Sequence, residues 1–244
     1  MPQEPRIVAG VEIIPLCDAV GPMKEPVRKP LPEMFAGAAF EPGEEWVLHF
    51  HCFLVRAAGR TVLVDAGIGG ADSPATWAPL PGRLIGELAA AGAAPADVDV
   101  VVLTHLHSDH MGGAVVDGAP AFPNARHLVQ RAEVEWAADP VRELILDPLR
   151  DLLDVIDGDV EPVPGVRVVH APGHTPGHQI VEAGDVIMSG DALHHPVQLA
   201  DPTIRYVYDE DPGLAVRTRK DILARAAVLA PAHFPDPFVE LLRI

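Results

Sequence analysis

Runs rich in apolar, aromatic and β-branched residues predict β-strands in the first quarter of the chain. Residues 7–16 form one such run, and two more, 46–56 and 61–64, flank the turn-forming residues 57–60 as in a hairpin. Between them, residues 18–45 contain five prolines. Because proline lacks the amide hydrogen that helices and sheets require, we expect a surface loop there.

Farther along, strands interleave with helices. The β-branched run 98–103 predicts a strand covered on both faces, and residues 81–91, ended by Gly92, predict a helix. Further strands are expected at 126–130, 166–170, 179–182 and 186–189, and helical segments at 133–156 and at 211–228, the latter begun by the N-cap pair Asp211-Pro212. We therefore predict the α/β class: an αββα sandwich of two mixed β-sheets with external helices.

The size and the composition of the chain restrict the classes of partner that it is expected to bind. The 244 residues fit one domain over residues 1–244, and a net charge of -17 argues against a nucleic-acid ligand. The two cysteines form no metal or redox pair, and neither a leader peptide nor a long apolar run is evident, so we expect a cytoplasmic protein with no membrane partner. A small-molecule substrate is the expected partner, and a homodimer is left open.

Four metal-ligating residue types fall within six positions after the buried strand 98–103. His105 and His107 are two residues apart and project to the same side of an extended segment, and Asp109 with His110 enters the turn beyond. Zinc accepts imidazole nitrogen and carboxylate oxygen and takes four or five ligands. So short a cluster cannot supply two ions alone, and further ligands must come from elsewhere in the chain.

Three residues later in the chain are suitable, because each follows a predicted element. They are His174, Asp191 and His233. Glycines precede two of them, which permits backbone angles and close approaches that a side chain would block. The sequence thus offers seven candidate metal ligands.

The string H-x-H-x-D-H at 105–110, followed in order by His, Asp and His, resembles the metallo-β-lactamase superfamily, and the landmarks span roughly residues 45 to 235. The resemblance implies two divalent metal ions, zinc in the first instance. It implies one ion held by His105, His107 and His174, another held by Asp109, His110 and His233, a bridge through Asp191, and an orienting role for Asp65.

The residues around the candidate ligands are most similar to those of the branch of acyl-homoserine lactonases and methyl-parathion-hydrolase-like enzymes. The ligand His233 is followed by Phe234-Pro235, and residues 211–223 are similar as well. Three residues after Asp191, where those lactonases typically carry a tyrosine, this chain has His194, which is nearer to the organophosphate-type subgroup.

The expected function is a dinuclear metal-dependent hydrolase in which a metal-bridging hydroxide cleaves a small-molecule ester or lactone, with Asp109, Asp191 and His194 as catalytic residues. The alternatives are a phosphotriester or thioester hydrolase of the same fold, or a mononuclear-iron oxidoreductase of the persulfide dioxygenase type. The roles of His51 and His195 stay open, and so does that of His178, for which hydrogen bonding to the site is one reading. We expect residues 18–45 and 133–156 to wall an apolar entrance.

Overall fold

A computed structural model of the chain describes residues 4–241. Residues 1–3 and 242–244 of the predicted domain lie outside the described part. The first residues of the N-terminal segment, where no leader peptide is expected, are among them. The strands are β1 Arg6–Val8, β2 Val11–Pro22, β3 Phe35–Ala36, β4 Val47–Ala57, β5 Arg60–Val64, β6 Val100–Val102, β7 Val115–Val116, β8 Ala119–Pro120, β9 Arg126–Gln130, β10 Leu153–Ile156, β11 Val160–Val163, β12 Val166–His170, β13 Gln179–Ala183, β14 Val186–Gly190, β15 Arg205–Tyr206, β16 Val228–Pro231 and β17 Val239–Glu240.

Fewer residues belong to the helices, and all of the helices except α8 are short. They are α1 Leu31–Met34, α2 Leu84–Ala90, α3 Ser108–Met111, α4 Arg131–Trp136, α5 Asp139–Val141, α6 Asp147–Leu149, α7 Val197–Ala200 and α8 Pro212–Arg225, with a 3₁₀ turn at Pro95–Asp97 and a π-helical segment at Arg142–Leu146. Asp211 caps α8 as predicted, since its carboxylate accepts a hydrogen bond from Leu214 N at 2.8 Å.

Two mixed sheets contain most of the strands. Their strand orders are β1-β2-β4-β5-β6-β9-β10 and β11-β12-β13-β14-β16-β17. The neighbours β5, β6, β9 and β10 run parallel in the first sheet, and β14 and β16 run parallel in the second. The remaining neighbours in both sheets are antiparallel.

Buried apolar side chains fill three layers. Val100 of the first sheet and Val181 of the second belong to the layer between the sheets. Val101, which faces the opposite way, packs in an outer layer with Leu88 of α2, and Ile222 of α8 packs on the outer face of the second sheet. Because helices cover the outer faces and the two sheets share one apolar layer, the predicted αββα sandwich is confirmed.

The loop predicted over residues 18–45 is wrong at its start and interrupted in its middle. Strand β2 continues to Pro22 because its residues pair with β4, and α1 and β3 lie farther along the segment. An irregularity in the ladder after Cys17 turns the buried Asp18 away from it. The Asp18 carboxylate accepts hydrogen bonds from Ile68 N and Leu84 N, both at 2.7 Å.

Two helical predictions run too far. Residues 153–156 form β10, which pairs in parallel with β9, and α8 ends at Arg225 because the following residues join β14 as β16. The periodicity of a short apolar run is compatible with a helix or a strand. Such a run becomes a strand where it can pair with the free edge of a sheet. The sequence patterns also gave no strand at the positions of β3, β7, β8, β11, β15, β16 and β17.

Three of the candidate ligands, and Asp65 that orients one of them, lie where parallel strands end. Asp65 directly follows β5, and His105 comes shortly after β6; in the second sheet Asp191 follows β14 and His233 follows β16. The amide of Gln179 joins the two sheets at this end, because its Nε2 donates to Leu103 O at 2.8 Å. The topology therefore gathers four separate segments at one end of the sandwich.

Candidate metal centre

Three histidines form what we call the first half-site: His105, His107 and His174. His107 Nδ1 lies 2.9 Å from His105 Nε2 and 3.0 Å from His174 Nε2. Oδ2 of Asp191 completes the group, at 3.8 Å from His105 Nε2 and 3.5 Å from His174 Nε2. One oxygen and three nitrogens thus converge on one point, as the ligands of a single ion do.

The second half-site contains Asp109, His110 and His233. Nε2 of His110 and Nε2 of His233 each lie 3.3 Å from Asp109 Oδ2. The same two nitrogens each lie 3.1 Å from Oδ1 of Asp191. Asp191 therefore directs one carboxylate oxygen to each half-site.

The donor atoms fit divalent ions. Within each half-site the ligand atoms lie within 4.8 Å of one another. His110 Nε2 and Asp191 Oδ1 are buried, and although they lie 3.1 Å apart, neither forms a hydrogen bond of suitable geometry with the other or with another described group. A buried polar atom without a partner is costly, and an ion between these atoms would satisfy both. Imidazole and carboxylate donors suit zinc and other first-row divalent metals.

Carboxylate and carbonyl oxygens hold the outer nitrogens of three of these rings. Nδ1 of His110 lies 2.8 Å from Asp65 Oδ2, and Nδ1 of His233 lies 2.9 Å from His49 O. Such oxygens only accept, so each Nδ1 carries a hydrogen and each Nε2 faces inward to the half-site. The Asp65 contact is the orienting one that the resemblance implied. His174 has the equivalent contact with Asp209, at 3.1 Å.

Burial keeps the imidazoles of the first half-site neutral. It lowers the pKa of His174 to about 3, and it is the main reason why the pKa values of His105 and His107 are also lowered. A metal ion binds the neutral imidazole, so these three rings are ready to accept one without losing a proton.

Charge has the opposite effect in the second half-site. Burial acts to lower the pKa of His233, but the neighbouring carboxylates of Asp191 and Asp109 outweigh burial and raise this pKa to about 10. The pKa of His110 is raised well above its usual value, because the same carboxylates and Asp65 outweigh burial there as well.

The structure separates the two adjacent histidines that follow Asp191. His194 is buried beside the first half-site, with Nε2 3.3 Å from Asp191 Oδ2. His195 instead packs against Phe35 and Trp46, with ring centroids 5.2 and 5.7 Å away. Of the two, His194 alone adjoins the ligand cluster.

Two further histidines support the site through hydrogen bonds. Nε2 of His178 accepts from Asp191 N at 3.0 Å, which is the kind of support expected for it. His51 does not line the pocket at the metal centre; its Nε2 bonds Phe234 O at 2.9 Å, beside the His233 loop.

A pocket of about 170 Å³ opens onto both half-sites. Its lining consists of Met23, Val27, Leu48, Trp77, Tyr206 and Tyr208 together with Ser108 and the candidate ligands His107, Asp109, His174, Asp191 and His233. Met23 and Val27 confirm the predicted wall from residues 18–45. The wall predicted from residues 133–156 is wrong: none of them lines this pocket, although the Trp136 ring lies 5.8 Å from that of His107.

Two buried acidic residues at the site were not identified from the sequence. Glu133 accepts hydrogen bonds from Leu106 N at 2.9 Å, Thr175 Oγ1 at 2.7 Å and Gly177 N at 2.9 Å, and so joins the two ligand loops of the first half-site. Asp209 was not singled out either, although it contacts His174 directly. Each acid lies within two residues of another acid in the sequence, and nothing in these local patterns distinguishes a buried acid from a solvated one.

The comparisons with known proteins agree with this geometry. The profile of the metallo-beta-lactamase superfamily matches residues 48–233. An N-acyl homoserine lactonase from a Bacillus species is 35% identical over 175 residues, which cover 63% of this chain and 67% of that protein. Within residues 4–241, no helix is long and apolar enough to cross a membrane.

Solved structures are similar over nearly the whole chain. The crystal structure of the hydrolase AbOPH of the beta lactamase superfamily has a TM-score of 0.81 at 25% identity, over 98% of this chain and 92% of that one. An N-acyl homoserine lactone hydrolase with its product N-hexanoyl-L-homoserine bound at the catalytic metal center has a TM-score of 0.69 at 26% identity, over 91% of this chain and 92% of that one.

Proposed function

The chain belongs to the metallo-beta-lactamase superfamily of metal-dependent hydrolases, and from this premise we propose that it uses two divalent ions to open neutral lactones or cleave small carboxylic esters. The observation that carries the proposal is the divided carboxylate of Asp191. Its Oδ2 faces the first half-site and its Oδ1 lies 3.1 Å from two nitrogens of the second. A carboxylate shared in this way suits a pair of ions rather than one.

The seven ligands of the two half-sites would hold these ions, and zinc is our first choice. Bound there, the ions would lower the pKa of water enough to supply hydroxide near neutral pH and would polarise the substrate carbonyl. The carboxylate of Asp109 borders the pocket. We assign it the proton transfer from the attacking water to the leaving alkoxide oxygen.

Two aromatic side chains, His194 and Tyr206, lie beside the first half-site. The ring of Tyr206 lies 3.8 Å from that of His194, with 30° between the planes, and Tyr206 lines the pocket. A tyrosine is therefore present beside the first half-site although position 194 is a histidine. We assign the Tyr206 hydroxyl to hydrogen bonding with the substrate and His194 to its support or to proton transfer.

The pocket favours an uncharged substrate. Met23, Val27, Leu48 and Trp77 give it apolar walls, and among the described residues that line it there is no lysine or arginine. Anionic substrates, such as thioesters of acidic carriers, are usually recognised by cationic side chains. Lactones and esters of neutral acids meet no such requirement. Neutral phosphotriesters fit the same walls and are the second candidate class.

A substrate panel on protein of measured metal content tests the proposal. The panel contains an N-acylated amino-lactone, an alkyl p-nitrophenyl ester, a neutral phosphotriester and an anionic thioester. We expect two metal ions per chain, the highest kcat/KM for the lactone or the ester, loss of turnover after chelation, and recovery when zinc is returned.

Two results would contradict this function. One is fully metallated protein that turns over none of the four substrates. The other is a single iron per chain with oxygen-dependent oxidation of a persulfide, which would favour the oxidoreductase alternative. Running the panel with and without oxygen separates the two results.

A further inference from the structure

The loop that carries His174 is fixed from one side by the segment that precedes α8. Glu210 N donates to His174 O at 3.0 Å, and Asp211 N donates to Gly173 O at 2.9 Å. Gly173 has a φ of +136°, and a Cβ there would come within 2.3 Å of Ala215 N in α8. The main chain of the ligand loop thus rests directly on the first turn of this helix.

Asp209, in the same segment, holds the ring of His174. Its Oδ1 lies 3.1 Å from His174 Nδ1, and both side chains are buried. Since an ionised carboxylate only accepts hydrogen bonds, this contact keeps the hydrogen on Nδ1 and leaves the Nε2 lone pair facing His107 and Asp191. The contact determines both the tautomer and the direction of the ring.

Arg219 of α8 is the counter-charge of Asp209. Its Nη2 lies 3.5 Å from Asp209 Oδ2, and the arginine is fully buried. The guanidinium also donates to three carbonyl oxygens: Nε to Ala192 O at 2.9 Å, and Nη1 to Pro202 O at 3.1 Å and Ile204 O at 2.7 Å. These carbonyls belong to the segment that begins beside Asp191 and leads to Tyr206.

We propose that Asp209 and Arg219 form a positioning pair that sets the metal affinity of the first half-site. Asp209 orients His174, and Arg219 neutralises Asp209 while it fixes the chain between Asp191 and the pocket wall. The orienting contact of the pair is with His174 of the first half-site, whereas the outer nitrogens of His110 and His233 in the second half-site are held by Asp65 and by the carbonyl of His49. This inference rests on the proposed metal-binding function.

The tautomer of His174 gives a direct readout in metal-free protein. In the wild type, ¹⁵N NMR of the imidazole should show the hydrogen on Nδ1. In Asp209→Ala, which removes the acceptor, the Nε2–H tautomer should appear, whereas Asp209→Asn can still accept through its amide oxygen and should keep the Nδ1–H form. An unchanged tautomer in Asp209→Ala would overturn the proposal, and a merely structural role would not produce the shift.

Stepwise removal of metal by a competing chelator tests the effect on affinity. Reference variants His174→Ala and His233→Ala identify which step belongs to which half-site. In Asp209→Ala, and to a smaller degree in Arg219→Lys, we expect about 10- to 100-fold weaker binding in the step that His174→Ala abolishes, the range typical of lost ligand-orienting contacts. Asp211→Asn, two residues away and still able to cap α8, is the matched control and should leave both steps unchanged.

Equal weakening of both steps in Asp209→Ala would overturn the proposal, because it would indicate a general loss of structure. Unchanged steps in folded Asp209→Ala and Arg219→Lys proteins would overturn it as well. A wild-type protein that binds no metal would instead refute the proposed function, and this inference with it. Folding of each variant is checked by circular dichroism before titration.

Discussion

The two half-sites share Asp191 but differ in charge and in support. The first consists of three imidazoles that burial keeps neutral, and two distant acids, Glu133 and Asp209, hold its loops. The second includes a carboxylate of its own, and the pKa values of its two histidines are raised. The first half-site should therefore respond mainly to positioning contacts, and the second mainly to protonation.

Asp191→Asn removes the negative charge of the carboxylate that both half-sites share, and it should have the largest effect on metal content and activity. Loss of the shared charge should reduce metal content in both half-sites and lower kcat/KM on the order of 10³-fold, as for a group acting in the transition state. Metal analysis and steady-state kinetics measure this. Asp185→Asn, at the exposed start of the same strand, is the control, and full activity of Asp191→Asn would exclude the dinuclear assignment.

Glu133→Ala should affect the first half-site and leave the second nearly intact. It removes the acceptor for Leu106 N, Thr175 Oγ1 and Gly177 N, and the buried donors left unpaired should lower the free energy of unfolding by about 3 kcal/mol. Urea denaturation measures the stability, and chelator titration measures the metal. Glu133→Gln, which keeps one acceptor, should be milder. Equal metal loss from both half-sites would erase the distinction between them.

The pH dependence of metal uptake should separate the half-sites further. A raised pKa of about 10 means that His233 of the metal-free chain is protonated at neutral pH, so an ion must displace that proton. Affinity at the second half-site should therefore rise with pH up to about 10 and fall on acidification, by about tenfold per pH unit for one proton released. The pKa of His174 is lowered to about 3, so this ring is already neutral between pH 5 and 8. The metal affinity of the first half-site should therefore depend little on pH in that range.

Calorimetry in buffers of different ionisation enthalpy counts the released protons. We expect about one or two protons with the ion of the second half-site and none with that of the first. Equal proton release in the two binding steps would contradict the charge difference.

Tyr206→Phe should give the smallest effect and should not distinguish the half-sites at all. It removes one hydroxyl from the pocket and no metal ligand, so kcat/KM should fall by about tenfold, the value of one lost hydrogen bond, with both ions retained. Kinetics on the lactone of the panel measure this. Loss of an ion in Tyr206→Phe would show that the tyrosine has a structural role at the site.

Local patterns carried much of the prediction. The β-rich runs in residues 46–64 and the β-branched run 98–103 indicate strands whichever partners they have, because β-branched and aromatic side chains favour an extended backbone. Asp211 capped its helix as expected, since capping involves only neighbours in sequence. Where short apolar runs fitted two elements, as at residues 153–156, the sheet decided, and the prediction of helix was wrong.

The sequence by itself determined the donor types and their order: residues 105–110 present two imidazoles, a carboxylate and a third imidazole within six positions. The tertiary structure decided how the donors are divided, because Asp191 lies between the half-sites only when the end of β14 in the second sheet meets the end of β6 in the first. It also decided that Asp209 and Arg219 are buried beside His174. Burial and partnership arise from contacts between residues far apart in the chain, and no local pattern records such contacts.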